Sequence, residues 1–220
     1  MTDLTNRRPI GQRATAWAAA LAAGMARNGI SPNLISAMSM LFALVGFGAF
    51  ALSGLSEGAA RVVWLGLAAI MIQLRLLANM LDGMVAVEHG KGGPDGPIWN
   101  ELPDRISDAL FFIGAGYGAF AAAPHLGPAL GFLCAVLALM TAYVRELGRG
   151  LGFPADFGGP LATPQRMFLL TAAAVLSMFE GAWGWKGEGL MWALAVIAAL
   201  TALTVFLRTR TLARRLRSKG

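Results

Sequence analysis

The sequence predicts an all-α protein, an integral membrane bundle of six transmembrane helices with an amphipathic interfacial helix at the amino terminus. Of the 220 residues, 56% are hydrophobic and 14% are charged, whereas about a quarter of the residues in an ordinary soluble domain are charged. The hydrophobic residues form stretches of roughly 17 to 25, the length of a helix that crosses a bilayer. Lys and Arg lie mainly at the flanks of these stretches.

The first element is predicted to be an interfacial helix over residues 12–28. Trp17, Leu21 and Met25 recur at a spacing of four, so they share one face of a helix that can lie along the membrane. Asn28 and Gly29 then end it. The alanine-rich stretch also fits the core of a signal peptide, which is the alternative interpretation.

Six hydrophobic spans are predicted within residues 31–207. Ser31 can cap the first span and Pro32 suits its first turn. Gly114, Gly116 and Gly118 in the third span should allow neighbouring backbones to approach closely. The six spans cover residues 35–53, 62–87, 109–124, 129–144, 167–185 and 189–207. Because the sequence contains no internal repeat and no long linker, residues 1–220 are expected to form one domain.

The basic residues predict the orientation. Lys and Arg accumulate on the cytoplasmic side of membrane proteins, and Arg61 and Lys186 alone fall in the connections after spans one, three and five. Both termini are therefore expected to be cytoplasmic, in a bacterial inner membrane, with residues 208–220 as a basic tail near the lipids. The net charge of +6 does not indicate nucleic acid, because the basic residues form no single stripe.

Acidic side chains gather where spans two and three meet water on the same side of the membrane. Residues at i, i+3, i+4 and i+7 share a helix face. The first such stripe is Arg75, Asn79, Asp82 and Ala86, and the second is Glu101, Asp104 and Asp108. Converging carboxylates need cations, and oxygen ligands suit Mg²⁺ or Mn²⁺. The alternative is that these acids pair with Arg75 and Arg105 in buried salt bridges.

The two stripes carry a motif, N-x-x-D-G-x-x-A-V from residue 79 and N-x-x-x-D-x-x-x-D from residue 100. This motif resembles the signature of the CDP-alcohol phosphatidyltransferase family, D-x-x-D-G-x-x-A-R followed by G-x-x-x-D-x-x-x-D. The resemblance extends to the interfacial helix, the Pro-Asn turn and the six spans. It implies a phospholipid-synthesising enzyme that moves a phosphoalcohol group from a CDP-alcohol, such as CDP-diacylglycerol, to a hydroxyl acceptor and releases CMP.

The resemblance also implies roles for individual residues. Asp82 and Asp104 would be ligands of two Mg²⁺ or Mn²⁺ ions, and Asp108 would be the general base that deprotonates the acceptor. The residues expected beside the nucleotide are Gly83, Ala86, Asn33 and Ser36. Homodimerisation is implied in the same way.

The sequence departs from the signature at Asn79, Val87 and Asn100, where the family has Asp, Arg and Gly, and the preceding connection is four residues longer. An amide oxygen at residue 79 can bind a metal but carries no charge. We therefore hypothesise that Glu101 supplies the missing charge. Arg75 could replace the missing arginine on the nucleotide phosphates, or it could simply pair with Asp82 or Asp108.

The connection between spans four and five is rich in arginine and lies on the same side as the acids. Bidentate binding of phosphate by arginine would favour an acceptor or a donor that carries phosphate. The candidates are Arg105, Arg145, Arg149 and Arg166. Topology-setting charge is the alternative explanation.

Two other functions are a non-catalytic scaffold that binds lipid or nucleotide and a transporter, whose acids should lie near the midplane instead.

Overall fold

The computed structural model describes residues 15–218, and helices are the only regular secondary structure in this part of the chain, which confirms the predicted all-α class. Seven α-helices lie within it. They are α1 (Ala16–Arg27), α2 (Pro32–Gly54), α3 (Gly58–Glu88), α4 (Gly96–Gly118), α5 (Leu126–Gly150), α6 (Thr163–Ser177) and α7 (Glu188–Arg217), with a 3₁₀ turn at Glu180–Trp183. The first residues of the predicted interfacial helix, 12–14, lie outside the described residues, as do residues 219 and 220.

Four of the described helices, α2, α3, α5 and α7, are long and apolar enough to cross a bilayer, so the chain is a membrane protein. The other two predicted spans correspond to α4 and α6. The first turns of α4 are polar, and α6 has only 15 residues. A helix rises about 1.5 Å per residue, so α6 is shorter than a hydrocarbon core of about 30 Å.

Local sequence explains where α2 begins. The Ser31 hydroxyl accepts a hydrogen bond of 3.2 Å from the Leu34 amide, and Pro32 occupies the first turn, as predicted. The Gly29 backbone has a φ of 76°, which a glycine adopts without strain, and this allows the sharp turn between α1 and α2.

The helices pack around two clusters of buried apolar side chains. The larger one lies between α2, α3, α4, α5, α6 and α7, with Phe50, Phe111 and Leu170 fully buried in it. The smaller one joins α1 to the start of α2 and the end of α3, and it includes Ala22 and Met84. The smaller cluster places α1 beneath the part of α3 that carries the acidic stripe.

Glycine allows α4 and α5 to touch backbone to backbone, as the sequence predicted. A Cβ atom on Gly116 would lie 2.7 Å from the carbonyl oxygen of Gly127 and 3.0 Å from Cα of Gly131. A Cβ atom on Gly114 would lie 2.8 Å from Cα of Phe47 on α2. These neighbours are backbone atoms, which cannot move aside as a side chain can.

A buried ion pair ties the helices together at the end opposite the acidic stripes. Sequence analysis placed Arg61 in a connection, but it lies in the first turn of α3 and is 8% exposed. Its guanidinium donates to the Ser53 carbonyl at 2.6 Å and pairs with Glu180 at 3.1 Å. Glu180 also accepts hydrogen bonds from the Ser177 hydroxyl at 2.9 Å and the Gly189 amide at 2.7 Å.

We predict that Gly116→Ala lowers the free energy of unfolding by about 1–3 kcal/mol, because the added methyl group would push α4 away from α5. Gly48→Ala on α2 is the matched control, since no described atom lies within 4 Å of its Cβ position. Unfolding in detergent micelles measures both variants. Equal stability of Gly116→Ala and Gly48→Ala would contradict the close packing of α4 on α5.

Candidate active site

The two acidic stripes meet where the carboxyl-terminal half of α3 faces the first turns of α4. Helix α3 supplies Arg75, Asn79 and Asp82, and α4 supplies Asp104 and Asp108. Direct contacts join Arg75 and Asn79 to the aspartates of α4. The convergence expected from helical periodicity is therefore present in the structure.

Asp82 is buried, and its two carboxylate oxygens have different surroundings. The residue is 5% exposed, and Oδ2 accepts a hydrogen bond of 2.7 Å from the Ser36 hydroxyl of α2. Within residues 15–218, Oδ1 has no hydrogen-bond partner. A buried carboxylate oxygen without a partner is costly, so this atom is suited to bind a cation.

Asp104 lies at the centre of the contacts between α3 and α4. Its Oδ1 accepts a hydrogen bond from the amide nitrogen of Asn79 and another of 3.0 Å from Arg75. Its Oδ2 lies 3.4 Å from the guanidinium of Arg105. Because Asn79 donates through its nitrogen, the Asn79 side-chain oxygen is not used in this contact.

Asp108 is enclosed between two arginines. Its Oδ1 lies 3.0 Å from Arg75 Nη2, and its Oδ2 lies 3.5 Å from Arg166 Nη2. The side chains of all three residues are at most 2% exposed. Of the two pairings considered for Arg75, the one with Asp108 is present, and Asp104 is the second partner.

Arg166 was expected to bind phosphate, but it lies inside the protein and is held on several sides. Besides Asp108, its guanidinium contacts the hydroxyls of Thr141 at 3.2 Å and Thr163 at 3.0 Å and the Leu161 carbonyl at 3.3 Å. It therefore joins α4 to α5 and α6 and fixes the position of Asp108.

Glu101, which we hypothesised as a substitute for the missing aspartate, is bound by arginine. Both of its oxygens lie 2.6 Å from Arg145 Nη2, and Oε2 lies 3.6 Å from Arg105 Nε. In the described part of the chain, no group of three or more His, Cys, Asp or Glu side chains is arranged to hold a metal ion. The carboxylates of this region face guanidinium groups, and a divalent cation fits best at Asp82.

The residues expected beside a nucleotide lie around the same end of α2 and α3. Asn33 donates a hydrogen bond of 3.2 Å to Asp95, which also accepts one of 2.9 Å from the Trp99 ring nitrogen. The carbonyl of Ala86 accepts a hydrogen bond of 3.1 Å from the Gly92 amide, so the connection between α3 and α4 folds back over α3. Gly83 is half-buried beside Asp82.

A small cavity lies close to this region and is lined by three arginines, Arg105, Arg145 and Arg208. Arg145 also lies 5.6 Å from the centre of the Phe157 ring. Arg149 does not line this cavity; it is exposed and pairs with Glu146 at 2.8 Å. Two of the four arginines expected to bind phosphate therefore share the cavity.

Sequence analysis missed Arg208, which it assigned to a solvated tail beginning at residue 208. Helix α7 continues to Arg217, and Arg208 is 5% exposed. Its guanidinium donates to the carbonyls of Gly158 at 2.8 Å and Thr141 at 3.0 Å. Helical spacing could have indicated the burial of Arg208, because Thr201, Thr204 and Arg208 recur on one helix face. All three residues are buried.

Comparison with known proteins identified relatives over most of the chain, although no protein-family model matches it. The phosphatidylinositol phosphate synthase of Mycobacterium marinum is 30% identical over 184 residues, which cover 82% of this chain and 74% of that protein.

The fold is also similar to that of solved structures. The crystal structure of Mycobacterium tuberculosis phosphatidylinositol phosphate synthase with CDP-DAG bound has a TM-score of 0.73 at 21% identity and covers 90% of this chain and 94% of its own. The structure of the same protein in complex with manganese and citrate has a TM-score of 0.71 at 22% identity, covering 89% and 88%.

We predict that Asp108→Asn lowers the free energy of unfolding by about 3–5 kcal/mol, because it leaves Arg75 and Arg166 buried without their shared carboxylate. Glu146→Gln is the control, since Glu146 forms partly exposed ion pairs that contribute less than about 1 kcal/mol. Denaturant unfolding in micelles measures both. A loss no larger than that of the control would mean that Asp108 is not a structural anchor.

Proposed function

Because the chain belongs to the CDP-alcohol phosphatidyltransferase family, we propose that it transfers the phosphatidyl group of CDP-diacylglycerol to a phosphate-bearing alcohol. The chain is a membrane transferase that moves a phosphoalcohol group from a CDP-alcohol to a hydroxyl acceptor in phospholipid synthesis, with release of CMP. The observation that supports the specific substrates is the arginine-lined cavity, because one of its arginines, Arg105, lies 3.4 Å from Asp104. An inositol phosphate is the acceptor that the relatives' names suggest.

We place the six helices α2 to α7 across the bacterial inner membrane, with both termini and the site on the cytoplasmic side. Helices α4 and α6 pack within the same bundle as the four long apolar helices. Helix α1 would lie in the interface, because Trp17 and Leu21 are 53% and 41% exposed while Ala18 and Ala22 face the protein. Homodimerisation stays a prediction from the family resemblance.

The donor would lie across the ends of α2 and α3. Asn33, Ser36, Gly83 and Ala86 are proposed to face the nucleotide, as the family signature implies. Arg75 retains buried Nε and Nη1 groups without a hydrogen-bond partner among residues 15–218, and these could still donate to a phosphate. A Mg²⁺ or Mn²⁺ ion held at Asp82, with Asn79 and Asp104 close by, would draw electron density from the phosphoryl group.

We propose Asp104 as the proton acceptor in place of Asp108. Both carboxylates have a guanidinium beside each oxygen, but the Asp104 side chain is 16% exposed and contacts the cavity residue Arg105, whereas the Asp108 side chain is 2% exposed. The sequence offers a matching register. If the second half of the signature begins at Gly96, one helical turn before Asn100, the four-residue excess in the connection disappears. Asn100 then stands where the family has an aspartate, and Asp104 becomes the last signature position.

In this arrangement the acceptor hydroxyl would approach from the cavity. Arg105, Arg145 and Arg208 would hold its phosphate, and the bidentate geometry of guanidinium groups would orient the alcohol towards Asp104. Asp104 would take the hydroxyl proton as the oxygen attacks the β-phosphorus of the CDP-alcohol, and CMP would leave. Arg149, which is exposed and paired with Glu146, is not assigned to this step.

A second candidate function is a non-catalytic scaffold that binds lipid or nucleotide. The observation that favours it is the neutralisation of the carboxylates by arginine, together with an amide at residue 79. Release of CMP distinguishes the two functions, because a scaffold could bind CDP-diacylglycerol without consuming it.

We predict that the purified protein releases CMP from CDP-diacylglycerol when Mn²⁺ or Mg²⁺ and an inositol phosphate are present. Asp104→Asn should slow this release by about 100-fold or more, because the acceptor loses its base. Glu57→Gln is the control, since Glu57 lies at the opposite end of the bundle and pairs only with the exposed Lys186 among described side chains. If Asp104→Asn retains full activity while Asp108→Asn folds and does not, Asp108 is the base.

We also predict that Arg208→Met raises KM for a phosphorylated acceptor by about tenfold or more, because a charged hydrogen bond to phosphate is lost. KM for CDP-diacylglycerol should change little. Arg210→Met is the matched control, since Arg210 is exposed two residues away on α7. An equal rise in both KM values would show that Arg208 acts only by supporting the fold.

A further inference from the structure

The charges in the candidate active site balance before any ion is added. Four carboxylates lie in the two stripes or beside them, and four arginines lie within ion-pair distance of three of these carboxylates. The carboxylates are those of Asp82, Glu101, Asp104 and Asp108, and the arginines are Arg75, Arg105, Arg145 and Arg166. A site in which two divalent ions meet four carboxylates needs no such arginines, because the ions supply four positive charges.

Arg75 is the arginine that lies between carboxylates of the site. A single atom, Nη2, is 3.0 Å from Oδ1 of Asp104 and 3.0 Å from Oδ1 of Asp108. The same group donates to the Asp104 carbonyl at 3.2 Å. Arg75 therefore supplies a positive charge to Asp104, a signature carboxylate that the family resemblance assigns to the divalent ions. Because the Arg75 side chain is 0% exposed and guanidinium stays protonated in proteins, this positive charge is fixed.

Asp82 is the exception among the four carboxylates. Among residues 15–218, no arginine or lysine lies within ion-pair distance of Asp82. Its Oδ1 has no hydrogen-bond partner among these residues, although Asp82 is only 5% exposed. A buried carboxylate seldom persists without a counter-charge. One cation position in the site is therefore filled by Arg75, and one, at Asp82, is left for an ion.

We propose that the guanidinium of Arg75 takes the place of one of the two divalent ions, so that the site binds a single Mg²⁺ or Mn²⁺ ion at Asp82. This proposal rests on the proposed function, because it assumes that the chain uses a divalent ion. It explains why Asn79, and Asn100 in the register that begins at Gly96, can stand where the family has aspartates. With one ion fewer, the site requires less negative charge, and the Asn79 amide can donate to Asp104 directly.

The number of bound Mn²⁺ ions per chain tests the proposal without substrate or turnover. Free Mn²⁺ is measured by electron paramagnetic resonance during titration of the purified full-length protein in micelles. We expect the wild type to bind one ion per chain, without the spin-coupled signal that two ions about 3.5 to 4 Å apart would give. Arg210→Met, an exposed arginine variant, should behave as the wild type does.

Removal of the fixed cation should create room for the second ion. In the double variant Arg75→Met with Asn79→Asp, we expect two Mn²⁺ ions per chain and a spin-coupled signal. The single variant Asn79→Asp keeps Arg75 and should still bind one ion, with a Kd lowered by about tenfold, because affinity rises with the number of charged ligands. The single variant keeps the test usable if the double variant does not fold.

The outcomes separate this proposal from the function on which it rests. Two spin-coupled ions in the wild type, or a second ion in Asn79→Asp while Arg75 is present, would overturn the replacement by Arg75 and leave the transferase assignment intact. No bound Mn²⁺ in the wild type would overturn both the single-ion site and the proposed use of a divalent ion. One ion in the wild type and two in the double variant support the proposal.

Discussion

The buried ion pairs of Arg75 and Arg166 with Asp108 are the contacts on which the rest of the site depends. Each of these charges would be costly to bury alone in a membrane protein, so their pairing is a requirement of the fold. Arg75 belongs to α3, Asp108 to α4 and Arg166 to α6. The pairing thus fixes how these three helices lie relative to one another, and Asp82 and Asp104 take their positions from it.

The two ends of the bundle use buried charge differently. At the end that contains Glu180, both carboxylate oxygens have partners, Arg61 on one and the Ser177 hydroxyl with the Gly189 amide on the other. At the end that contains Asp82, one oxygen has a partner and the other has none within residues 15–218. A fully satisfied buried carboxylate is sufficiently explained by stability, whereas an incompletely satisfied one points to a ligand.

The sequence predicted the class of the protein, the start of α2 and the meeting of the two acidic stripes, because hydrophobic length, cap residues and helical spacing act locally. It left open which side chain each carboxylate would meet. Pairing with Arg75 and Arg105 was one of two interpretations and is present, whereas the pairs formed by Arg145 and Arg166 were not predicted. Arg166 was assigned to phosphate but pairs with Asp108, and Glu101 was assigned to metal but pairs with Arg145. Helical spacing gives the direction of a side chain on its own helix, while its partner depends on how other helices pack. Arg208 was missed for a related reason. A run of basic residues does not show at which residue a long helix such as α7 passes from the protein interior to the surface.

One departure from the family signature, Asn79, is connected physically with Arg75. In a site that lacks a shared metal ion, an aspartate at residue 79 would place a second negative charge against Oδ1 of Asp104, where the Asn79 amide now donates. Arg75, one helical turn earlier on α3, donates to the same oxygen at 3.0 Å. An amide and a guanidinium therefore satisfy an oxygen that a divalent ion would otherwise bind. The amide and the guanidinium support each other, so the loss of the signature charge at residue 79 does not leave Asp104 unpaired.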